Sequence, residues 1–188
     1  MSTDTTNRRR FLRDASRAAL VFATGGVAGV LLNRRQLRAD VWQIDPFRCV
    51  QCGQCATHCV MDVSAVKCAH DFTMCGYCEL CTAFFVPEPN ELNSGAENQL
   101  CPVGAIRRRF VEDPYYEYDI DTDVCYGCGK CVKGCTQFGN GSLYLQIDQD
   151  RCLHCNECSI AAACPADAFF HRSAGRPYVT KHAGAENL

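Results

Sequence analysis

Sixteen of the seventeen cysteines in this 188-residue chain fall into four groups, each a triplet of one spacing with an outlying fourth. Cys49, Cys52 and Cys55 read C-x2-C-x2-C, as do Cys75, Cys78 and Cys81, then Cys125, Cys128 and Cys131, then Cys152, Cys155 and Cys158. Each triplet is followed by an outlying cysteine: Cys59, Cys101, Cys135 and Cys164. Cys101 and Cys164 run directly into Pro102 and Pro165. A cubane of four irons and four sulfides needs thiolates at the corners of a tetrahedron. A C-x2-C-x2-C loop wraps one cube and supplies three of them, but it is too tight to reach the fourth corner, so that ligand comes from elsewhere. Four triplets and four outliers give sixteen ligands, enough for four 4Fe–4S clusters. Cys68 is left over and reads as a small buried thiol on a strand, not a ligand.

Other uses of so many thiols fit less well. Zinc takes C-x2-C pairs, two per site, and has no use for a triplet plus a remote Cys-Pro. Disulfides suit an exported chain, but close triplets repeated four times make a poor disulfide framework, and metal loaded before export would already occupy the thiols.

The elements that position these groups repeat. "IDPFRCVQCGQCATHC" starts at Ile44 and "IDTDVCYGCGKCVKGC" at Ile120; they align without a gap, and Ile147-Asp148 again precedes a triplet by three residues. The order is a compact group, a group with an inserted segment before its Cys-Pro, then both again. Two tandem modules follow from this, 41–112 with an insertion at 82–100 and 113–182, ahead of a short tail at 183–188. Alternation of apolar and polar residues predicts half-buried strands at 41–45, 116–121 and 142–148, with Leu143, Leu145 and Ile147 on one face. Short helices are expected near the third cysteine of each group and after each Cys-Pro. The class is α+β, small hairpins and short helices around metal.

Charge divides the chain. Residues 1–39 hold 8 Lys/Arg and 2 Asp/Glu; subtracting from totals of 19 and 21 leaves 11 basic and 19 acidic residues in 40–188. An acidic body with a basic leader argues against nucleic-acid binding. "NRRRFLR" at 7–13, with Arg8 and Arg9 two residues before Phe11-Leu12, precedes a largely apolar run at 15–32 and looks like a twin-arginine export signal. Such a leader delivers a folded, metal-loaded protein to the periplasmic side of the cytoplasmic membrane. Whether 1–39 is cleaved or stays as an anchor through 15–32 is open, because "LRA" at 37–39 is a poor cleavage site.

On these motifs, residues 41–171 resemble tandem bacterial dicluster ferredoxin domains. With its leader the chain is similar to twin-arginine-exported, four-cluster ferredoxin-type proteins of respiratory chains, including the ferredoxin-type components of periplasmic nitrate and nitrite reduction. The iron–sulfur subunits of molybdopterin oxidoreductases are more distant relatives. Ferredoxin pairs exchange their fourth cysteines. Applied within each module, the resemblance implies Cys101 on the cluster of Cys49, Cys52 and Cys55, and Cys59 on that of Cys75, Cys78 and Cys81. It likewise implies Cys164 with Cys125, Cys128 and Cys131, and Cys135 with Cys152, Cys155 and Cys158. The molybdoenzyme subunits pair first group with fourth and second with third, and that nested pairing stays open. Cys59 and Cys135 depart from the pattern in lacking a following proline.

Such a chain carries single electrons between a membrane quinone-linked partner and an oxidoreductase. Every expected cluster has four cysteines, so catalysis by this chain alone is not expected. Two other readings are a permanent electron-transfer subunit of a larger respiratory complex and an assembly scaffold with structural clusters. His58, His70 and His154 beside the cysteines read as neighbours of the ligands or as surface residues, and Tyr77 and Tyr126 as shields against water. Arg107-Arg108-Arg109 reads as a solvated strand or loop facing Glu112 and Asp113, or as a docking patch. The polar segment 86–99 reads as a surface loop.

Overall fold

A computed structural model describes residues 5–36, 40–76, 78, 80–86 and 99–183. The chain divides into two units: Met1–Asp40 with Ser173–Gly175, and a body of Val41–Arg172 with Arg176–Leu188. The first contains helix α1, Thr5–Gln36. Among the described residues no helix is long and apolar enough to cross a membrane. Arg8 and Arg9 lie in α1 but outside the residues whose side chains are described.

The body is built from three two-stranded pairs. Strands β1 (Asp40–Ile44) and β6 (Phe169–Ser173) pair with each other. Strands β2 (Val66–His70) and β5 (Leu143–Ile147) pair antiparallel, with Cys68 opposite Leu145. Strands β3 (Ile106–Glu112) and β4 (Tyr115–Ile120) form an antiparallel hairpin. Two short helices follow, α2 (Lys130–Phe138) and α3 (Ser159–Ala163), with single 3-10 turns at Gln54–Ala56 and Lys181–Ala183. Each of the first three begins close to the third cysteine of a triplet, as expected, but Cys81 of the second triplet is followed by turns and no helix. No helix follows either Cys-Pro: Gly104 N–H bonds back to the carbonyl of Cys101 and Asp167 N–H to that of Cys164, closing tight turns instead.

The two-module division does not hold. The boundary at 112/113 falls inside the β3–β4 hairpin, while β1·β6 and β2·β5 each join a strand before that boundary to one after it. The apolar residues responsible are Ile44, Val66, Leu145 and Ile147, all essentially without solvent contact, in one core that also takes in Ala65, Ile106, Val132 and Phe169. At about 25 cal/mol per Å2 of apolar surface removed from water, a shared core holds the halves together far better than two thin ones could.

The three expected strands are present, but β5 is buried on both faces, Tyr144 as well as Leu143 and Leu145. Its second face lies under residues 176–183. Tyr144 Oη–H donates to the carbonyl of Val179 at 2.9 Å, Val179 N–H to Gln146 Oε1 at 2.9 Å, and Lys181 Nζ to the carbonyl of Gly141 at 2.6 Å. Gln43, wholly buried in β1, ties these layers together. Its Oε1 accepts from Ile147 N–H at 2.8 Å and its Nε2 donates to the carbonyl of Pro177 at 2.9 Å. A buried amide satisfied on both ends costs little and fixes register.

Candidate metal centres

Each triplet is entered through the same turn. An aspartate stands four residues before the first cysteine, and its carbonyl accepts the amide of that cysteine: Asp45 and Cys49 (3.1 Å), Asp71 and Cys75 (2.8 Å), Asp121 and Cys125 (3.1 Å), Asp148 and Cys152 (3.0 Å). The aspartate Oδ1 accepts the amide two residues on, from Phe47, Thr73, Asp123 and Asp150. This is the Asx turn, in which a short carboxylate closes its own loop. The sequence shows the motif plainly at 45, 121 and 148; at 71 it is masked because His70 replaces the isoleucine, and the spacing alone would have found it.

The aspartate amides point the other way and join each triplet to a distant segment. Asp45 N–H donates to the carbonyl of Ala168 (2.8 Å), Asp71 to Ser142 (3.0 Å), Asp121 to Ala105 (2.7 Å) and Asp148 to Ala65 (2.9 Å). Those acceptors lie just downstream of Cys164, Cys135, Cys101 and Cys59 respectively. The outlying cysteines are therefore delivered as a nested set. We number the sites by their triplets.

Site 2 is a recess lined by Cys75, Cys78, Cys81 and Cys135. Site 3 is lined by Cys125, Cys128, Cys131 and Cys101, with Cys68 beside them. Site 4 is lined by Cys152, Cys155, Cys158 and Cys59. At site 1, Cys164 lies close enough to Cys49 and Cys55 for its charge to hinder their ionisation.

The exchange between adjacent groups is accordingly corrected. Cys101 joins Cys125, Cys128 and Cys131 rather than Cys49, Cys52 and Cys55. Cys59 joins the triplet of Cys152, Cys135 that of Cys75, and Cys164 that of Cys49. The physical cause is strand pairing. Each triplet follows a strand, and the strand paired with it follows the outlying cysteine. The β3–β4 hairpin turns the chain back at once, so Cys101 meets the next triplet and not the previous one.

Cys55, Cys125, Cys131 and Cys135 are buried, Cys52 is exposed, and the other grouped cysteines are partly shielded from water. Burial pushes Cys55 up to about 12, helped by neighbouring Cys49 and Cys52, and Cys81 up to about 11 against the pull of the Ala83 and Phe84 amides. Burial likewise raises Cys49, Cys75, Cys125 and Cys152. Backbone amides face the sulfurs: Ala105 N–H to Cys101 Sγ at 3.2 Å, His154 to Cys152 at 3.4 Å and Ala168 to Cys164 at 3.5 Å. Among the described residues no group of His, Cys, Asp or Glu is arranged to hold a metal ion; the thiols line recesses instead of converging on a point.

Neighbouring side chains hold the loops. Trp42 of β1 donates its indole N–H to the carbonyl of Cys155 at 3.0 Å and lines site 4, a role its sequence context did not reveal. His58 lines the recess of site 4 and His70 that of site 2, beside the cysteines as expected. Tyr126 lines site 3, while Tyr77 lies outside the described residues. Cys68 is buried at the middle of β2, the strand placement expected.

The arginine run is an exposed strand, but its partners are not Glu112 and Asp113. Arg107 pairs with Asp121 and Arg109 with Glu117, while Arg108 lies over Phe84, Phe85 and Tyr116 at 5.3, 5.1 and 4.7 Å. All three are engaged within the chain. Of the loop expected at 86–99, residues 87–98 lie outside the described residues, as do 184–188 of the tail.

No protein-family model and no curated protein matches this chain.

Proposed function

We propose that the body carries four 4Fe–4S clusters and passes single electrons between partner proteins. The observation that carries this reading is the grouping of sixteen cysteines as four sets of four, each set three from one C-x2-C-x2-C loop and one from another segment. The donor set fits: sulfur only, part-buried, with N–H groups aimed at it, and spread around recesses instead of converging on one point. A mononuclear zinc with Zn–S near 2.3 Å would draw its four sulfurs to within about 3.8 Å of each other; a cube needs them spread around a recess. When bound, such clusters supply one-electron redox chemistry, with potentials set by burial and by hydrogen bonds to sulfur.

The order in which the sites adjoin supports a relay. Sites 1 and 4 share the exchanged Cys164 and Cys59, and sites 2 and 3 share Cys101 and Cys135. The two pairs meet where the loops of sites 1 and 3 touch: a Cβ on Gly53 would lie 3.4 Å from the carbonyl of Cys128, and one on Gly129 3.5 Å from Gln51. The sequence of sites is then 4, 1, 3, 2, a single line with two ends. The protein's role is to hold the sulfurs, exclude water and fix the spacing, with no substrate site of its own. We further propose export through the 7–13 motif, which places the relay on the periplasmic side beside a membrane-linked redox partner.

The test is analytical. Anaerobically purified full-length protein should contain about sixteen irons and sixteen sulfides per chain, and its visible absorbance should bleach and return over repeated reduction and oxidation. Stoichiometric zinc with no sulfide would overturn the reading. Four clusters that could not be reduced reversibly would instead favour a structural role.

A further inference from the structure

Site 4 stands at one end of the order 4, 1, 3, 2, and its mouth has a distinct surface. Val60 and Leu153 each follow a grouped cysteine directly, Cys59 and Cys152. Both line the recess of site 4, yet they are 62% and 66% exposed. Val63, in the loop of Val60, is 44% exposed. Single apolar side chains on a surface need no explanation, but two on the wall of one recess with a third in the same loop form a patch of the kind a partner covers. The charged residues of the two loops, 56–63 and 150–160, are Asp62, Asp150 and Glu157, all exposed, and Arg151. Arg151 is already taken, by Asp148 at 3.1 Å and by Asp123. The charge left around the patch is negative. The other end of the order is built differently: Tyr116 and Tyr118 of the hairpin line the recess of site 2, and Arg108 lies over the Tyr116 ring at 4.7 Å.

We propose that the mouth of site 4 is a docking surface for a redox protein that presents an apolar contact ringed by lysine or arginine. An electron enters or leaves a line of centres at its end, and a partner must bring its own centre against that end. The apolar side chains would form the dry middle of the contact and the carboxylates its rim. A patch this small suits the weak, short-lived interfaces of electron transfer, which bury less than about 1,200 Å2. In such an encounter the rim charges set the rate of approach and the orientation more than the affinity. The same charges disfavour other occupants. A second copy of the chain would bring Asp62, Asp150 and Glu157 against their equivalents, because a two-fold contact sets one patch against itself. An anionic lipid surface attracts basic segments, and an acidic rim is repelled by it.

The inference rests on the reading that the four sites hold clusters, and the experiment separates the two. Full-length protein, assayed for iron and sulfide and then reduced, would be mixed in a stopped-flow instrument with oxidised mitochondrial cytochrome c, a basic haem protein used as the probe. The rate should fall by about tenfold as salt is raised from about 0.01 M to about 0.15 M, where the screening length shrinks from about 30 to about 8 Å. The charge reversal Asp62→Lys with Glu157→Lys should slow the low-salt reaction by about tenfold and flatten its salt dependence. Val60→Ser with Leu153→Ser should slow it and leave the salt dependence in place. Glu112→Lys with Asp113→Lys, at the tip of the hairpin, should change neither. Ferricyanide, a small anion, should be reduced faster by the Asp62 and Glu157 reversal than by the wild type. Slowing with both oxidants would mean that the reversal damages the relay, and would overturn the docking role of these acids. An unchanged cytochrome rate in that variant, or equal slowing by the hairpin reversal, overturns the inference while leaving the clusters in place. A wild-type chain without iron and sulfide defeats the cluster reading itself.

Discussion

The nested pairing predicts how losses combine. Removing Cys101 and Cys128 together should empty one site, because both line the recess of site 3. Removing Cys101 and Cys52 together should damage two, because Cys52 belongs to the triplet of site 1. With four irons per site, the first double alanine variant should retain about twelve of sixteen irons and the second as few as about eight. Fold stability should change little by comparison. Cys101→Ala takes the sulfur acceptor from Ala105 N–H, 3.2 Å away, just before β3 begins at Ile106; one such bond is worth about 1 kcal/mol. Iron and sulfide per chain would be measured on matched anaerobic preparations, with urea unfolding of each variant as a control. The reverse result, twelve irons for Cys101 with Cys52 and eight for Cys101 with Cys128, would refute the pairing. It would restore the exchange between adjacent groups that the repeat alone suggests.

Two further outcomes can be checked. Desolvation opposes ionisation of Asp71, but the hydroxyl of Thr73 and the amides of His182 and Thr73 outweigh it and hold the carboxylate at about 2, below its usual 3.8. A carboxylate depressed in the folded state contributes stability above the unfolded value and loses it as pH falls towards 2. Asp71→Asn should therefore destabilise the protein at pH 6 and flatten the acid limb of its urea midpoint between pH 4 and 2; an unchanged acid limb would show that the turn does not depend on the charge. For the leader, Arg8→Lys with Arg9→Lys should leave the protein in the cytoplasm with iron intact, and normal periplasmic recovery of that variant would exclude twin-arginine export.

The four cysteine groups were legible in the sequence because their spacing is local. A triplet and an Asx turn each span fewer than eight residues, and every property they need is carried within that span. The three strands were legible for the same reason. Pairing was not, because nothing in "CPVGAI" or "CPADAF" states which strand will lie beside it. Alternation reveals that a strand has a buried face but not what buries it. β5 shows the limit: Tyr144 looked like an outward residue, and it is buried because residues 176–183, with no periodic pattern of their own, cross that face. The partners of Arg107 and Arg109 lie across the hairpin for similar reasons: the register sets Arg109 opposite Glu117, and Arg107 reaches diagonally past Asp119 to Asp121, not to the residues nearest in sequence.

The repeat is nevertheless the key to the nesting, once its unit is redefined. What recurs is not a pair of groups but a half-site: strand, aspartate turn, triplet, outlying cysteine, strand. Four half-sites in a row must pair their strands, and β2 and β5 each serve twice. β2 follows Cys59 and precedes the triplet of site 2; β5 follows Cys135 and precedes that of site 4. Pairing β2 with β5 therefore makes two junctions at once: Asp148 N–H reaches Ala65 at one end of the ladder and Asp71 N–H reaches Ser142 at the other. Adjacent pairing would require β3, which follows Cys101, to lie beside β1, ahead of the first triplet, which takes Asp121 and Asp45 from their acceptors Ala105 and Ala168 and separates the two halves of the core. The shared ladder thus commits all four sites to one cooperative body, which is what the proposed relay of four clusters would require.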